Sequence, residues 1–491
     1  MFKVKVISDD FKRTYCLKEP INGLEFLIKE GYYIDASCGG KGTCKKCNFL
    51  IDGQTKLSCQ TILDRDVTIE LIVEAEKLNL NNLKLSESKK YALGLDLGTT
   101  TLAFYLIDLA AKEVVFKASE LNKQAVYGSD IISRIDYATN KSLAQIQQTI
   151  IDQVNHFISK LIEQVKIKIE KLVVAGNTVM SHIFLNVNPE PLGRIPFKPV
   201  FLEKKELAGS SLGLAVKDVV VYPGIASFVG GDIVAGLVAV DFFSEPTNKL
   251  FVDIGTNGEI VLLANKKLYS TSTAAGPAFE GAKIEMGLGG VKGAISKVFL
   301  ENNQLKLKTI GNQEAIGLCG SGLTDTISLL VKAQLIDETG AFVKESSNPL
   351  FTKFKDNKFY LTDKVYLSQR DVREFQLAKS AIASGIQTIL KEAKISISSL
   401  AEVYIAGGFG FYLNKENALD LGLLPFAKTT KIINVGNTSG QGTILGALDP
   451  NLITEGEKLA QEVMVVELAK SKFFNQQFIE NMGFWGAEND N

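Results

Sequence analysis

Apolar and polar positions alternate at the start of the chain, in "FKVKVIS" (2–8), and again in "RTYCLKEP" (13–20), around the polar run "DDFK". A period of two is the signature of a half-buried strand, so this stretch predicts an antiparallel hairpin. The spacing then changes: "NGLEFLIKEG" (22–31) reads as a short helix, with Asn22 as its N-cap and Gly31 just past its end. "NFLIDGQ" (48–54) and "DVTIELIV" (66–73) return to strand patterning, with Asp52-Gly53 as the turn. The order closes a small domain near residue 75. Residues 76–90, "EKLNLNNLKLSESKK", are polar and read as a linker, with a short exposed helix as the alternative.

From residue 91 strands alternate with helices, and an internal repeat appears. "YALGLDLGTTTLAFYLIDL" (91–109) and "KLFVDIGTNGEIVLLAN" (249–265) share one design: an apolar strand, Asp-x-Gly-Thr, then a second apolar strand. Each is followed downstream by another apolar strand ending in small residues, "KLVVAGNT" (171–178) and "EVYIAGGFG" (402–410). The expectation is two similar α/β lobes, 91–245 and 246–491. The second carries added material near 290–365, where "SKVFLENNQLKLKTIG" (296–311) suggests a β-meander.

Composition narrows the classes. The chain has 491 residues, 46% hydrophobic and 22% charged, which suits a multidomain globular protein. Its 54 basic and 55 acidic residues leave a net charge of −1 with no basic stripe, so nucleic acid is not an expected partner. No apolar run reaches the ~18 residues of a membrane span, and the first residues lack a signal-peptide core. Cytoplasmic residence is the expectation.

Four of the six cysteines fall within 22 positions, at Cys38, Cys44, Cys47 and Cys59. Three thiolates on a loop with Gly39, Gly40 and Gly42, and a fourth from a neighbouring strand, suit a [2Fe–2S] cluster. A structural zinc is the competing reading, although zinc sites usually come as two Cys-x2-Cys halves and here only one such pair exists. Cys16 falls in a strand and is expected in the core. The spaced cysteines and the hairpin–helix–loop order resemble a β-grasp ferredoxin domain.

The repeated hairpins suggest a nucleotide site. Gly98 admits a phosphate to the backbone, and Thr99, Thr100 and Thr101 offer hydroxyl and N–H donors; Gly255, Thr256 and Asn257 are their counterparts. Asp96 and Asp253 supply the one or two carboxylates that Mg²⁺ typically takes. These hairpins are similar to the phosphate-1 and phosphate-2 motifs of the superfamily of actin, sugar kinases and heat-shock chaperones. "VYIAGGFG" (403–410) is similar to its adenosine motif, with Gly407 and Gly408 against the nucleoside. "FVGGDIVAGLVAV" (228–240) and "GNTSGQGTILGAL" (436–448) resemble its two crossing helices. The resemblance implies ribonuclease H-like lobes that bind and hydrolyse ATP between facing hairpins. Asp232, early in the first crossing helix, is the candidate base, with a helix-dipole acid as the plainer alternative. Arg134 is expected to pair with Asp130 in preference to a phosphate contact, and His156 and His182 to be structural or surface residues. Two glycine-rich stretches, "TAAGPAFEGAKIEMG" (273–287) and "LCGSGLTD" (318–325), look too irregular for core.

A ferredoxin joined to an actin-like ATPase resembles one family, the reductive activators of corrinoid proteins. "VVAGNTVMSHIF" (173–184), "GIASFVGGDI" (224–233) and "AGPAFEGAKIEMG" (275–287) are similar to its sequences. The resemblance implies a partner, the corrinoid protein of a methyltransferase system, whose inactive Co(II) is returned to Co(I) by one electron. It also implies an upstream low-potential electron donor and allows a homodimer. Plant-type clusters sit near −400 mV, and every ~59 mV uphill costs a factor of about ten, which is why ATP is needed. Members of that family carry a further domain between ferredoxin and ATPase, where this chain has a linker of about 15 residues. Two other readings stay open: an activator of a radical enzyme such as a 2-hydroxyacyl-CoA dehydratase, and a redox-regulated small-molecule kinase.

Overall fold

The structure is a computed structural model that describes residues 1–8, 11–30, 47–70, 90–128, 130–302, 304–409 and 413–484. It divides into two compact units, residues 1–223 with 443–450 and residues 224–442 with 451–491.

Alternation builds the first sheet. Strands β1 (Phe2–Ser8) and β2 (Phe11–Leu17) pair antiparallel, and Val4 and Val6 are fully buried while Lys3 faces water. The second strand starts at Phe11, two residues earlier than the sequence suggested. Strands β3 (Asn48–Ile51) and β4 (Gln54–Leu57) form a hairpin through Asp52 and Gly53, both at positive φ as such a tight turn requires. Strand β5 (Val67–Glu70) runs parallel to β1 and completes the order β2-β1-β5-β3-β4. That is the β-grasp arrangement. Helix α1 (Gly23–Lys29) buries Phe26 and Leu27 in the same core as Phe49 and Ile69. Its cap is Asn22, whose Oδ1 accepts from the N–H groups of Leu24 and Glu25 at 3.0 and 3.4 Å. Cys16 is exposed, against the expectation of a core residue, because β2 is an edge strand and position 16 falls on its outer face. Gly31 and all of the 76–90 linker except Lys90, already strand, lie outside the described residues.

The same unit holds a second sheet, of strands β6 (Lys90–Leu97), β7 (Thr101–Asp108), β8 (Glu113–Leu121), β9 (Lys168–Gly176), β10 (Lys205–Ala208) and β11 (Asp218–Val221). The first three form an antiparallel meander, β9 lies parallel to β6, and the order is β8-β7-β6-β9-β11-β10. Helix α3 (Leu143–Val165) packs on it by burying Ile150, Val154, Phe157, Ile158 and Leu161, a helical stripe. Phe157 stacks on Phe104 of β7 at 4.0 Å.

The second unit repeats this plan. Strands β12 (Lys249–Ile254), β13 (Gly258–Ala264) and β14 (Lys267–Thr273) form the meander. After β15 (Ala294–Glu301) and β16 (Gln304–Thr309), β17 (Glu402–Ala406) lies parallel to β12 and β18 (Ile432–Gly436) parallel to β17. Both lobes therefore place a meander beside parallel strands in the ribonuclease H-like order. The material between carries the β15–β16 hairpin, helix α6 (Gly320–Lys332) and a small three-stranded sheet within 354–368. "LCGSGLTD" is not an irregular loop: it opens α6, and Gly320 through Leu330 are buried. Helix α7 (Gln369–Glu392) starts at a capping box of Ser368 and Asp371 and covers the meander. Gly385 leaves room there, since a Cβ would come within 2.9 Å of Ile260.

His182, on α4 (Thr178–Phe184), is fully buried with both ring nitrogens engaged. Nδ1 lies 2.7 Å from Thr178 O, and Nε2 accepts the Val200 N–H at 3.1 Å, so the ring carries its proton on Nδ1. Burial, which disfavours the charged ring, pulls its pKa below the ordinary 6.5, and a second proton on Nε2 would also face the Val200 N–H. Below pH ~6.5 the unfolded chain binds a proton the folded one refuses, so stability falls as pH drops through that value. Urea midpoints measured from pH 8 to 5.5 should fall more steeply for the wild type than for His182→Gln; equal slopes would contradict this.

Candidate functional site

Two of the four clustered cysteines lie among the described residues, and the β3–β4 hairpin brings them together. Cys47 precedes β3 and Cys59 lies in the single turn Ser58–Gln60 after β4, so the pairing of Asn48 with Leu57 sets them side by side. Their sulfurs are 3.2 Å apart, and both residues are at least nine-tenths buried. A disulfide would need ~2.05 Å, whereas two thiolates sharing a tetrahedral ion lie roughly 3.8 Å apart, given metal–sulfur bonds of ~2.3 Å. At 3.2 Å the pair lies between those two separations, as unbridged thiols in hydrogen-bond contact. The turn is anchored at two points: Asn22 Nδ2 donates to Cys59 O at 2.9 Å, and Ser58 N–H to Cys47 O at 2.8 Å. Gln60 Nε2 approaches the Cys59 sulfur at 3.7 Å, the kind of contact that tunes a thiolate ligand. Cys38, Cys44, Gly39, Gly40 and Gly42 lie outside the described residues, and among the described residues no cluster of three or more metal-ligating side chains occurs.

In the first unit, the turn at Gly98–Thr100 is braced from within. A Cβ at Gly98 would sit 2.4 Å from Thr101 O, so the turn needs glycine. Three successive carbonyls are held inward: Asn122 Nδ2 donates to Gly98 O at 2.8 Å, Arg134 Nη2 to Thr99 O at 2.6 Å, and Asn122 N to Thr100 O at 2.8 Å. In a planar trans peptide the N–H opposes the C=O, so the N–H groups of Thr99, Thr100 and Thr101 face the other way. That is the arrangement of an anion-binding turn. Asn177 Nδ2 also donates to Thr99 Oγ1 at 3.1 Å. Arg134 does not pair with Asp130, as the sequence suggested. Asp130 instead caps α2 (Ile131–Tyr137) through the Ser133 N–H and hydroxyl. The fully buried Arg134 guanidinium reaches Gly128 O, Gln124 Oε1 and the Met180 sulfur besides Thr99. Asp96 ends β6 opposite Ala175 of β9, and burial, then the Asp96 charge, pushes the Tyr105 hydroxyl up to about 12.

In the second unit Asp253 holds the matching position, opposite Ala406 of β17. Next comes Gly407 at φ +91°, where a Cβ would lie 2.6 Å from Asp253 Oδ1. The space beside Gly408 is open. Gly255 N–H donates to Asn257 O at 2.9 Å across the turn, and Thr256 Oγ1 donates to Glu280 Oε2 at 2.6 Å. Asp232 lies in the first turn of α5 (Gly231–Ala239), with the Ile233 N–H on its Oδ1 at 2.9 Å. The structure adds a third acid to Asp232 and Asp253. Glu259 faces Asp253 across the β12–β13 hairpin, and burial, then Asp232 and Asp253, holds its carboxyl well above the usual range. Three carboxyl groups, of which Glu259 has its pKa held well above the usual range, form the kind of locus where cations bind or protons move. Sequence reasoning passed over Glu259, Glu280, Asn177 and the role of Arg134. Only Glu259 left a signal there, as the polar residue that breaks the apolar run "GEIVLLA" opposite Asp253.

Comparison with known proteins agrees with this geometry. Residues 247–491 match the C-terminal domain of RACo, the ASKHA domain, and residues 91–245 match the RACo middle region. The corrinoid activation enzyme RamQ of Eubacterium limosum is 32% identical over 480 residues, covering 89% of this chain and 80% of that protein. The [Co(II) methylated amine-specific corrinoid protein] reductase of Methanosarcina barkeri is 25% identical over 438 residues, covering 80% of this chain and 77% of its own length. Among solved structures, a reductive activator for a corrinoid, iron–sulfur protein covers 98% of both chains with a TM-score of 0.73 and 25% identity. With its duplicated actin-like lobes behind a β-grasp domain, the chain belongs to the family of reductive activators of corrinoid proteins.

Proposed function

We propose that this chain reductively activates a corrinoid protein, using MgATP to drive one electron onto inactive Co(II) and return it to Co(I). The observation that carries the reading is the presence, in one chain, of a buried cysteine pair 3.2 Å apart and a duplicated Asp-x-Gly-Thr hairpin. Relatives named for corrinoid activation and corrinoid reduction support it.

Each part has its own task. Cys38, Cys44, Cys47 and Cys59 would hold a [2Fe–2S] cluster, which supplies one low-potential electron at a time. Gln60 and the Asn22-anchored turn keep the Cys59 thiolate in place. A zinc in that position would supply no electron, so the ATPase lobes favour iron–sulfur. The turns at Gly98–Thr101 and Gly255–Asn257 bind the phosphates of ATP, Gly407 and Gly408 approach the nucleoside, and Asp96 and Asp253 hold Mg²⁺. Glu259, raised by burial and then by Asp232 and Asp253, joins Asp232 as a candidate proton acceptor for the attacking water. Binding can shift a two-state protein only by its differential affinity for the states, so ATP must alter how the chain holds its corrinoid partner. Thiolates and a reducible cluster suit the cytoplasm, with an upstream low-potential donor.

The test mixes anaerobically reduced protein, MgATP and a Co(II) corrinoid protein and follows the Co(II) paramagnetic signal. It should vanish only when ATP is present; persistence with any carrier offered would contradict the proposal. Asp253→Asn should lower ATP hydrolysis by about a hundredfold or more, the scale of losing a preorganised charge, and leave the visible spectrum intact. Cys59→Ser should do the reverse, bleaching the visible absorbance while nucleotide still binds. A variant that lost both properties at once would show misfolding rather than separable sites.

A further inference from the structure

The two Asp-x-Gly-Thr turns are braced in opposite ways. The first has a buried guanidinium on its carbonyl side. The second has a carboxyl group on its donor side: the Thr256 hydroxyl donates to Glu280 Oε2 at 2.6 Å. Glu280 also lies beside Gly255, where a Cβ would come within 3.7 Å of its Oε1. Glu280 belongs to "AGPAFEGAKIEMG", whose glycines Gly276 and Gly281 sit at positive φ. An acidic side chain thus rests on a donor that suits a phosphoryl group.

We propose that Glu280 is an internal stand-in for phosphate: its carboxyl group takes the Thr256 hydroxyl when no nucleotide is bound and is expelled when the terminal phosphate of ATP binds. This rests on the nucleotide reading of the 255–257 turn and extends it to regulation. Two anions cannot share one set of donors at hydrogen-bond distance, so binding and displacement are linked. Displacement cannot stay local. The neighbouring Phe279 ring stacks on Phe409 at 4.3 Å, beside Gly407 and Gly408. Further along, Gly281 is packed against Leu288, with room for no Cβ. The Glu285 N–H donates to Asp371 Oδ1 at 2.8 Å, at the start of α7, and its carboxylate accepts from Tyr366 at 3.1 Å and pairs with Lys358 at 3.6 Å. Lys283 pairs with Glu374 of α7 at 3.6 Å. The 281–288 segment therefore carries phosphate occupancy to the start of α7 and to the small sheet that holds Lys358 and Tyr366.

Affinities of the full-length protein for a non-hydrolysable ATP analogue and for ADP, compared between wild type, Glu280→Gln and Glu280→Ala, test this. Removing the competing charge should tighten the analogue by roughly tenfold, the scale of one charge-assisted contact, and ADP by less than about twofold. Unchanged or weaker analogue binding in both variants would overturn the proposal and make Glu280 a brace for the turn. If neither wild type nor variants bind nucleotide, the nucleotide reading itself fails, and this inference with it. Hydrogen exchange gives a readout free of substitution: the Glu285 amide of the wild type should exchange faster with the analogue bound, and an unaltered rate would count against the switch.

Discussion

In each lobe a strand that ends on Asp-x-Gly-Thr lies beside a parallel strand that ends on Ala-Gly, and the register is the same: Asp96 opposite Ala175, Asp253 opposite Ala406. The glycines that follow are there because nothing larger fits. A Cβ at Gly176 would lie 2.9 Å from Leu97 O, and one at Gly407 would strike the Asp253 carboxylate. This close passage fixes where the aspartate points and holds each turn at the carboxyl end of its sheet, where open α/β sheets bind ligands. The sheet order, the meander and the covering helices all serve to keep that register.

On this common frame the two turns have diverged. The first is rigid, with its carbonyls tied inward by Asn122 and Arg134, so its donors are set before any ligand arrives. The second is surrounded by acids, Asp232 and Glu259 on one side and Glu280 on its threonine. On the proposed reading, one turn offers a fixed anion site and the other a site whose charge rearranges on binding. That division suits a machine in which binding energy is converted into a change elsewhere.

Much of this was legible in the sequence where period and punctuation carried it. Alternation marked the first hairpin, Asp52-Gly53 marked its turn, and the repeated Asp-x-Gly-Thr marked the lobes. What escaped was set by pairing across long sequence distances. Nothing local says that Arg134 reaches Thr99, 35 positions away, or that Glu280 reaches Thr256, because neither an arginine on an apolar helix face nor a glutamate in a glycine-rich turn announces its partner. "LCGSGLTD" misled for a related reason: glycine density signals a loop locally, yet Gly320 and Gly322 are small because the backbones of Phe279 and Ile295 pass against them. Cys16 misled because an edge strand has one face in water, which composition cannot reveal.

The claim that joins the halves is that electron delivery and ATP use are one process in one chain. Its most direct measurement is a single turnover: protein reduced with one electron per chain, freed of excess reductant, is mixed with Co(II) corrinoid protein in a stopped-flow cell. The account predicts that, on adding MgATP, Co(I) absorbance rises at the same rate and in the same molar amount as the oxidised iron–sulfur bands return. Equal Co(I) yields with and without MgATP, or Co(I) formed with no matching reoxidation of the protein, would contradict it.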